Sequence, residues 1–557
     1  MVLGDPVSGK EFFDRNKEMA ILFSTLRDFE SGTKRNIAII GLRKIGKTSL
    51  ITEFIRRLNK NTPSTICLSI YLPEQNPHNF FRGCMGSIIN ELFRLMKFQP
   101  KTGTLSLENA LRIIEHDFPR TALAITNLEV FVRKRNLEEA FSYLFDVLEV
   151  VKKETGNSLI VFLDEFQRLT EYERDIKSPI DKFRERIMRQ KEILYIISGS
   201  AVGMLNRLIS STKSPLYGHF ERMYLRGFGF KDTYHFIVSK KPITLSIGDG
   251  LIGFLYEITN GNPFYLDILV HNMVRTCGFE KKKRVSKDFV EDSLINQIFS
   301  KEGSIYSYFD SLIEQSLEKR GSTYYTEILK SIASGDRRPS EISKATNINL
   351  TTLPVYLKKL QELEIIRKSE PTKKKSKITE YEFIDSLFEL WIKEVYSLRD
   401  NPILKDFELK AKIFKNNISK IVNDYNTEIG KGNESRIREL FREFDGDVVG
   451  ELTIPKFDSV ERKDILGEEI DVFCRFAQDV WIAEVSKSNI DKSEIENIKR
   501  KIDKVKTKEN ISQVIVIPTK EINQEAMNLC TKYKFEIWTL GIINKLLKRT
   551  GMFRILI

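Results

Sequence analysis

Residues Arg35–Leu50 read RNIAIIGLRKIGKTSL, an apolar strand that runs through G-x-x-x-x-G-K-T into a helix. Ile37, Ala38, Ile39 and Ile40 have the length and apolarity of a strand buried on both faces, the kind found in parallel sheets. Gly41 and Gly46 let the chain turn tightly, so that successive backbone N–H groups along Gly41, Leu42, Arg43, Lys44, Ile45, Gly46 and on to Ser49 point inward at a phosphate. Lys47 brings a cation to the β- and γ-phosphates, and the Thr48 hydroxyl is placed to ligate Mg²⁺. The stretch predicts a loop that grips a nucleoside triphosphate.

Outward from this loop, Ser158–Leu169 (SLIVFLDEFQRL) is a second apolar run of strand length, ending in Asp164–Glu165. An aspartate at the end of a strand beside the phosphate loop holds Mg²⁺, and the glutamate after it is positioned to orient and deprotonate water. Asp164 is therefore assigned to the metal and Glu165 to catalysis. A third strand, Ile193–Ile197, runs into Ser198-Gly199-Ser200. Two readings stand for this exit: Ser200 senses the γ-phosphate, or the small residues simply make a turn.

Composition narrows the class. A chain of 557 residues holds several domains, because single cores rarely grow past about 250–300 residues. No apolar run reaches the eighteen or so residues of a membrane span. The N-terminal MVLGDPVSGKEFF has no charged segment followed by an apolar one, which predicts a cytoplasmic protein with no membrane partner. Five widely separated cysteines argue against a disulfide framework and against a zinc site. A net charge of +12 favours an anionic partner, nucleic acid first.

Five segments together resemble the archaeal ATPase family of the AAA+/STAND group of P-loop proteins. They are FFDRNKEMAIL (Phe12–Leu22), GLRKIGKTSL, VFLDEF (Val161–Phe166), IISGSAVGML (Ile196–Leu205) and NGNPFYLDIL (Asn260–Leu269). The resemblance implies ATP as the nucleotide, hydrolysis as the activity, a helical lid around Gly261–Pro263, and a box at Asp14–Arg15 packed near the base, with Arg15 at the cofactor. It also implies an arginine after Tyr-Gly in SPLYGHF (Ser214–Phe220), where this chain has His219. A largely neutral histidine is a poor substitute for that charge at pH 7. Arg222, Arg226 or an arginine of a neighbouring subunit in a homo-oligomer are the alternatives.

Tyr324–Phe383 read as three helices and a β-hairpin: TEILKSIASG, PSEISKAT, a third helix from about Leu350 to Leu363, then IIRKSE and ITEYEFID around the tip PTKKKSK. This is a helix-turn-helix with a wing. The third helix would offer Asn349, Thr351, Thr352, Tyr356, Lys358 and Lys359 to a DNA groove, and the tip would offer Lys373, Lys374, Lys375 and Lys377 to phosphates. A protein-docking module is the competing reading. Trp391, in the following YEFIDSLFELWIKEVY, reads as a core anchor.

Beyond a linker around Ser397–Asp406, Glu434 lies on a helix, Asp471 on the strand EEIDVFCRF and Glu484 on the strand VWIAEVSKS. That arrangement resembles the PD-(D/E)XK nucleases, whose carboxylates gather Mg²⁺. Where those enzymes need a lysine this chain has Ser486, and Lys487 falls one residue late, on the opposite face of a strand. The resemblance thus implies the fold more strongly than cleavage.

The expected fold class is α/β: a P-loop ATPase core with a parallel sheet (1–230), a helical lid (231–305), a winged helix-turn-helix (306–400) and a restriction-endonuclease-like domain (401–557). The expected activity is Mg²⁺-dependent ATP binding and hydrolysis driving a switch that acts on DNA. The alternatives are a signalling ATPase that contacts proteins and an ATP-regulated nuclease.

Overall fold

The computed structural model describes residues 5–62, 65–100, 105–316, 323–368, 379–399, 407–427, 429–450, 452–486 and 489–549. Lys373, Lys374, Lys375, Lys377 and Lys487 lie outside the described residues. Among those described, no helix is long and apolar enough to cross a membrane.

Strands β1 (Asn36–Ile40), β2 (Ile66–Tyr71), β3 (Leu159–Asp164), β4 (Ile193–Gly199) and β5 (Phe220–Tyr224) form one sheet in the order β2-β3-β4-β1-β5, every pairing parallel. Both faces are covered, which is why β1 and β4 are buried at every position. Ile37, Ile39, Ile160, Phe162, Leu194 and Ile196 pack against helices α1 (Asn16–Glu30) and α2 (Lys47–Asn61). The intervening residues, Val161 and Leu163 among them, face the opposite layer, formed by helices such as Pro77–Leu95 and Leu137–Thr155. Parallel strands bring all their C-terminal ends to one edge, so Ile40, Asp164 and Gly199 open on the same side.

After this sheet come the short parallel pair β6 (Ser246–Ile247) and β7 (Arg284–Val285), and then three helices, Tyr324–Ser334, Pro339–Thr346 and Leu353–Glu362. The third begins at Leu353, later than the apolar spacing predicts. Asn349 forms a turn first: its side chain accepts from Thr351 N (3.1 Å) and its carbonyl from Thr352 N (3.0 Å) and Leu353 N (2.9 Å). Pro354 falls in the first helical turn, where its missing N–H costs nothing. β8 (Ile366–Lys368) and β9 (Tyr381–Phe383) pair antiparallel after the third helix. Trp391 is fully buried against Tyr306, Phe309 and Phe388, as a core anchor should be.

The C-terminal region, after the small antiparallel pair β10 (Val448–Val449) and β11 (Leu452–Thr453), is a second α/β layer. Strands β12 (Ser459–Ile465), β13 (Glu468–Phe476), β14 (Asp479–Ser486), β15 (Ile511–Pro518) and β16 (Glu536–Ile537) lie in sequence order, antiparallel from β12 to β14 and parallel from β14 to β16. Helices Ile429–Arg442 and Leu540–Arg549 cover one face, and Lys492–Lys506 and Gln524–Tyr533 the other.

The chain divides into two compact units. The first comprises Met1–Phe228, Thr259–His271 and Asn296–Lys405; the second comprises Gly229–Ile258, Asn272–Ile295 and Asp406–Ile557. The segment expected as a single lid, 231–305, is therefore shared. Its Asn260–Pro263 stretch goes with the first unit, where Gly261 O accepts from Phe228 N (2.8 Å).

Candidate active site

The loop between β1 and α2 owes its shape to its two glycines, for different reasons. Gly46 adopts φ +98°, which side chains disfavour. Gly41 has no such angle; a Cβ there would stand 2.6 Å from Leu225 O, so crowding demands the glycine. Lys47 is buried at the helix start, and its Nζ donates to Gly41 O (2.8 Å) and Leu42 O (2.9 Å). Burial pulls its ammonium below the usual lysine range, opposed by the charges of Glu165 and Asp164.

Thr48 Oγ1 donates to Asp164 Oδ2 at 3.0 Å. The other carboxylate oxygen, Oδ1, accepts from Ser198 Oγ (2.6 Å) and from Glu165 N (3.0 Å). Glu165 takes a left-handed backbone conformation (φ +56°) at the end of β3. Its Oε2 accepts from Ser200 Oγ (2.7 Å), Ser200 N (3.3 Å) and Gln167 Nε2 (2.5 Å). Burial raises the Glu165 carboxyl, but Lys47 and the bonds from Ser200 and Gln167 outweigh it, and the group is held below the usual range, ionised. A hydroxyl and a carboxylate oxygen side by side make a hard-oxygen pair that suits Mg²⁺.

The remaining residues of the loop face several ways. Arg43 and Lys44 are exposed, and Lys44 Nζ lies 5.0 Å from the centre of the Phe264 ring. Ile45 is buried and its carbonyl accepts from Arg15 Nη2 (3.2 Å). Ser49 Oγ accepts from Val7 N (3.1 Å), on the N-terminal segment. Arg15 also donates to Arg226 O (2.7 Å) and lies over Phe228 at 4.8 Å. These contacts brace the phosphate loop from behind against the exit of β5.

Ser198 and Gln167 were not singled out from sequence as site residues. Ser198 had a signal, since it precedes Ser200 by two and both leave the end of β4. His219 stands just before β5, whose Phe220 pairs with Asn36 and whose Tyr224 pairs with Ile40. It therefore occupies the N-terminal edge of the sheet, the length of β5 away from the phosphate loop. Its ring lies beside Arg184 Nε (3.5 Å), and burial with the Arg184 and Lys34 charges lowers its pKa. Arg226, by contrast, follows the C-terminal end of β5 and is exposed.

In the second unit the expected carboxylates are engaged by their own chain. Glu484 Oε2 pairs with Lys501 Nζ (2.6 Å), from the helix after β14. Asp471 Oδ2 accepts from Val485 N (2.9 Å), and Arg438 lies 3.9 Å from Glu434 while donating to Asp471 O (2.7 Å). Burial, and then the Asp471 charge, push Glu484 up to about 8. Among the described residues, no group of three or more His, Cys, Asp or Glu is arranged to hold a metal ion. At the expected second Mg²⁺ site, Lys501 takes Glu484 Oε2 and the Val485 N–H takes Asp471 Oδ2, while Asp471 and Glu434 are near enough to Glu484 to raise its carboxyl.

Residues 12–269 match the model of an ATPase domain predominantly from Archaea. The chain is 26% identical over 317 residues to an uncharacterised protein of Methanocaldococcus jannaschii, covering 56% of this chain and 63% of that one. It is 26% identical over 173 residues to hybrid signal transduction histidine kinase G of Dictyostelium discoideum, covering 30% of this chain and 5% of that one. The matches thus span less than two thirds of either curated relative. Among solved structures, a Walker-type ATPase of Pyrococcus abyssi is 20% identical, with 70% of this chain and 99% of that one covered at a TM-score of 0.48. The ORC2 protein of Aeropyrum pernix is 14% identical, with 75% and 98% covered at a TM-score of 0.44.

Proposed function

We propose that this chain binds ATP with Mg²⁺ and hydrolyses it, and that the nucleotide state is read out by the helix-turn-helix unit on DNA. The observation that carries the reading is the 3.0 Å contact of Thr48 with Asp164, next to an ionised Glu165 and the buried Lys47. In this reading the loop 41–48 cradles the phosphates, and Thr48 and Asp164 hold Mg²⁺, which neutralises charge on the β- and γ-phosphates. Glu165 is tethered through Oε2, and Oε1 is the oxygen assigned to the attacking water. Ser200 and Gln167 aim the base, and Ser198 aims Asp164. Arg15 stiffens the loop through Ile45 O and Arg226 O.

The three helices and the β8–β9 pair are read as a winged helix, and the second five-stranded sheet as a restriction-endonuclease-like fold. DNA contact is supported by the net charge of +12, by exposed Thr351 and Thr352 in the turn before the third helix, and by exposed Lys358 on it. The second sheet is given no cleavage step, since Lys501 holds Glu484. The family's arginine position is at the far edge of the sheet, so the missing positive charge comes from Arg226 or from a neighbouring subunit.

Steady-state ATP hydrolysis with Mg²⁺, with and without single- and double-stranded DNA, tests the reading. Lys47→Ala should abolish ATP binding, and Glu165→Gln should bind ATP with turnover reduced at least 100-fold. Unchanged affinity in Lys47→Ala would sink the assignment. Turnover indifferent to DNA would move the readout to a protein partner.

A further inference from the structure

Helix Val202–Ser210 begins two residues after Ser200, whose hydroxyl and backbone N–H both hold Glu165. The second residue of that helix, Gly203, donates its N–H to the carboxylate of Glu364. Glu364 belongs to the helix-turn-helix unit, in the turn between its third helix and β8, and has φ +58°. That backbone angle is disfavoured for a side-chain-bearing residue, and it is kept where the carboxylate reaches a free N–H at a helix start. A Cβ at Gly203 would stand 2.7 Å from Glu364 Oε1, so a side chain there would make the carboxylate shift. Burial raises the Glu364 carboxyl, against the Gly203 N–H and the charge of Arg207 one turn along the same helix.

We infer that Glu364 is a positioning residue for ATP hydrolysis: through Gly203 and the helix it begins, Glu364 fixes Ser200, and through Ser200 the Glu165 carboxylate. The inference rests on the ATPase reading above. Ser200 is only three residues from Gly203, so a shift of the helix start moves the two bonds that aim the base. Docking of the helix-turn-helix unit is then a condition of turnover. A ligand that prefers the docked arrangement raises the rate, and one that draws the unit away lowers it.

The experiment compares Glu364→Ala, Glu364→Gln and Gly203→Ala in the full chain. It measures kcat, KM for ATP, the Kd of a slowly hydrolysed ATP analogue with Mg²⁺, and the thermal midpoint. Glu364→Ala should lose about tenfold in kcat, with KM and Kd within about twofold of the parent. Glu364→Gln keeps an oxygen that can accept from Gly203 and should retain at least half of kcat. Gly203→Ala, which displaces the carboxylate without removing it, should resemble Glu364→Ala. Parental kcat in Glu364→Ala would overturn the inference, as would a fall in kcat and thermal midpoint together with a rise in Kd, the mark of a contact that only supports the fold. Glu165→Gln run alongside separates the two levels: parental turnover there would sink the ATPase reading itself, whatever Glu364 does.

Discussion

Ser198 is fully buried, and its hydroxyl donates to the oxygen of Asp164 that does not face Thr48. An outer partner of this kind fixes which way a metal-binding carboxylate points, and its loss typically weakens metal affinity by about ten- to a hundredfold. Ser198→Ala should raise the Mg²⁺ concentration for half-maximal ATP hydrolysis by about tenfold and leave kcat at saturating Mg²⁺ within a factor of two or so. An unchanged Mg²⁺ titration would remove Asp164 from the metal site. Sequence showed Lys47, Thr48 and Asp164 because the chemistry sits in short, local patterns. It did not separate Ser198 from Ser200, because two serines spaced by two at the exit of a strand read alike, and only the geometry shows that one serves Asp164 and the other Glu165. Lys501 was beyond reach for a different reason: it approaches Glu484 from another element, and no local spacing records that.

At the scale of elements, α2 is tied to the N-terminal segment by a buried charge. Glu53 accepts from Gly9 N (2.7 Å), from Arg56 Nε (2.8 Å) and from Arg57 Nε (2.7 Å), while Val7 N donates to Ser49 near the start of the same helix. The Arg56 bond above all, with help from Gly9 and Arg57 and against burial, pulls the Glu53 carboxyl down to about 2. A folded-state pKa below the ordinary 4.5 stabilises the fold above pH 4.5, and the contribution is lost as pH falls through about 2. Glu53→Gln should cost about 2 kcal/mol at neutral pH. In urea titrations the difference between the two proteins should shrink as pH drops through that window; a constant difference would remove the charge from the account. The helices were mostly legible because their apolar stripes recur. Strands β5 and β12 were not, since each mixes a few buried positions with exposed, mostly charged ones at a sheet edge and offers no apolar run.

At the scale of the molecule, the three helices from Tyr324 to Glu362 belong to the same compact unit as the ATPase sheet, and two of the polar contacts among the described residues hold that region. One is Glu364 on Gly203. The other is Asp385, half-buried, which accepts from Tyr265 Oη (2.5 Å) and caps helix Ser386–Trp391 through Leu387 N (3.0 Å) and Phe388 N (3.1 Å). Tyr265 follows Phe264, whose ring carries Lys44 of the phosphate loop on one side and meets Tyr308 at 5.6 Å. Separating the unit at Asp385 breaks the Tyr265 bond to a half-buried carboxylate, so it is opposed by more than lost packing. A nucleotide at about 100 times its Kd adds about 2.7 kcal/mol to any opening that destroys its site. Amide exchange governed by such openings should then slow about a hundredfold. With an ATP analogue and Mg²⁺ we expect that slowing in β1, β3 and β4, and also in helices Tyr324–Ser334 and Leu353–Glu362, which lie outside the phosphate loop. In the double variant Tyr265→Phe, Glu364→Ala the strands should keep the effect and the two helices should lose it. If the helices of the parent protein exchange at the same rate with and without nucleotide while β1 slows, the helix-turn-helix opens by itself, and no switch connects it to ATP.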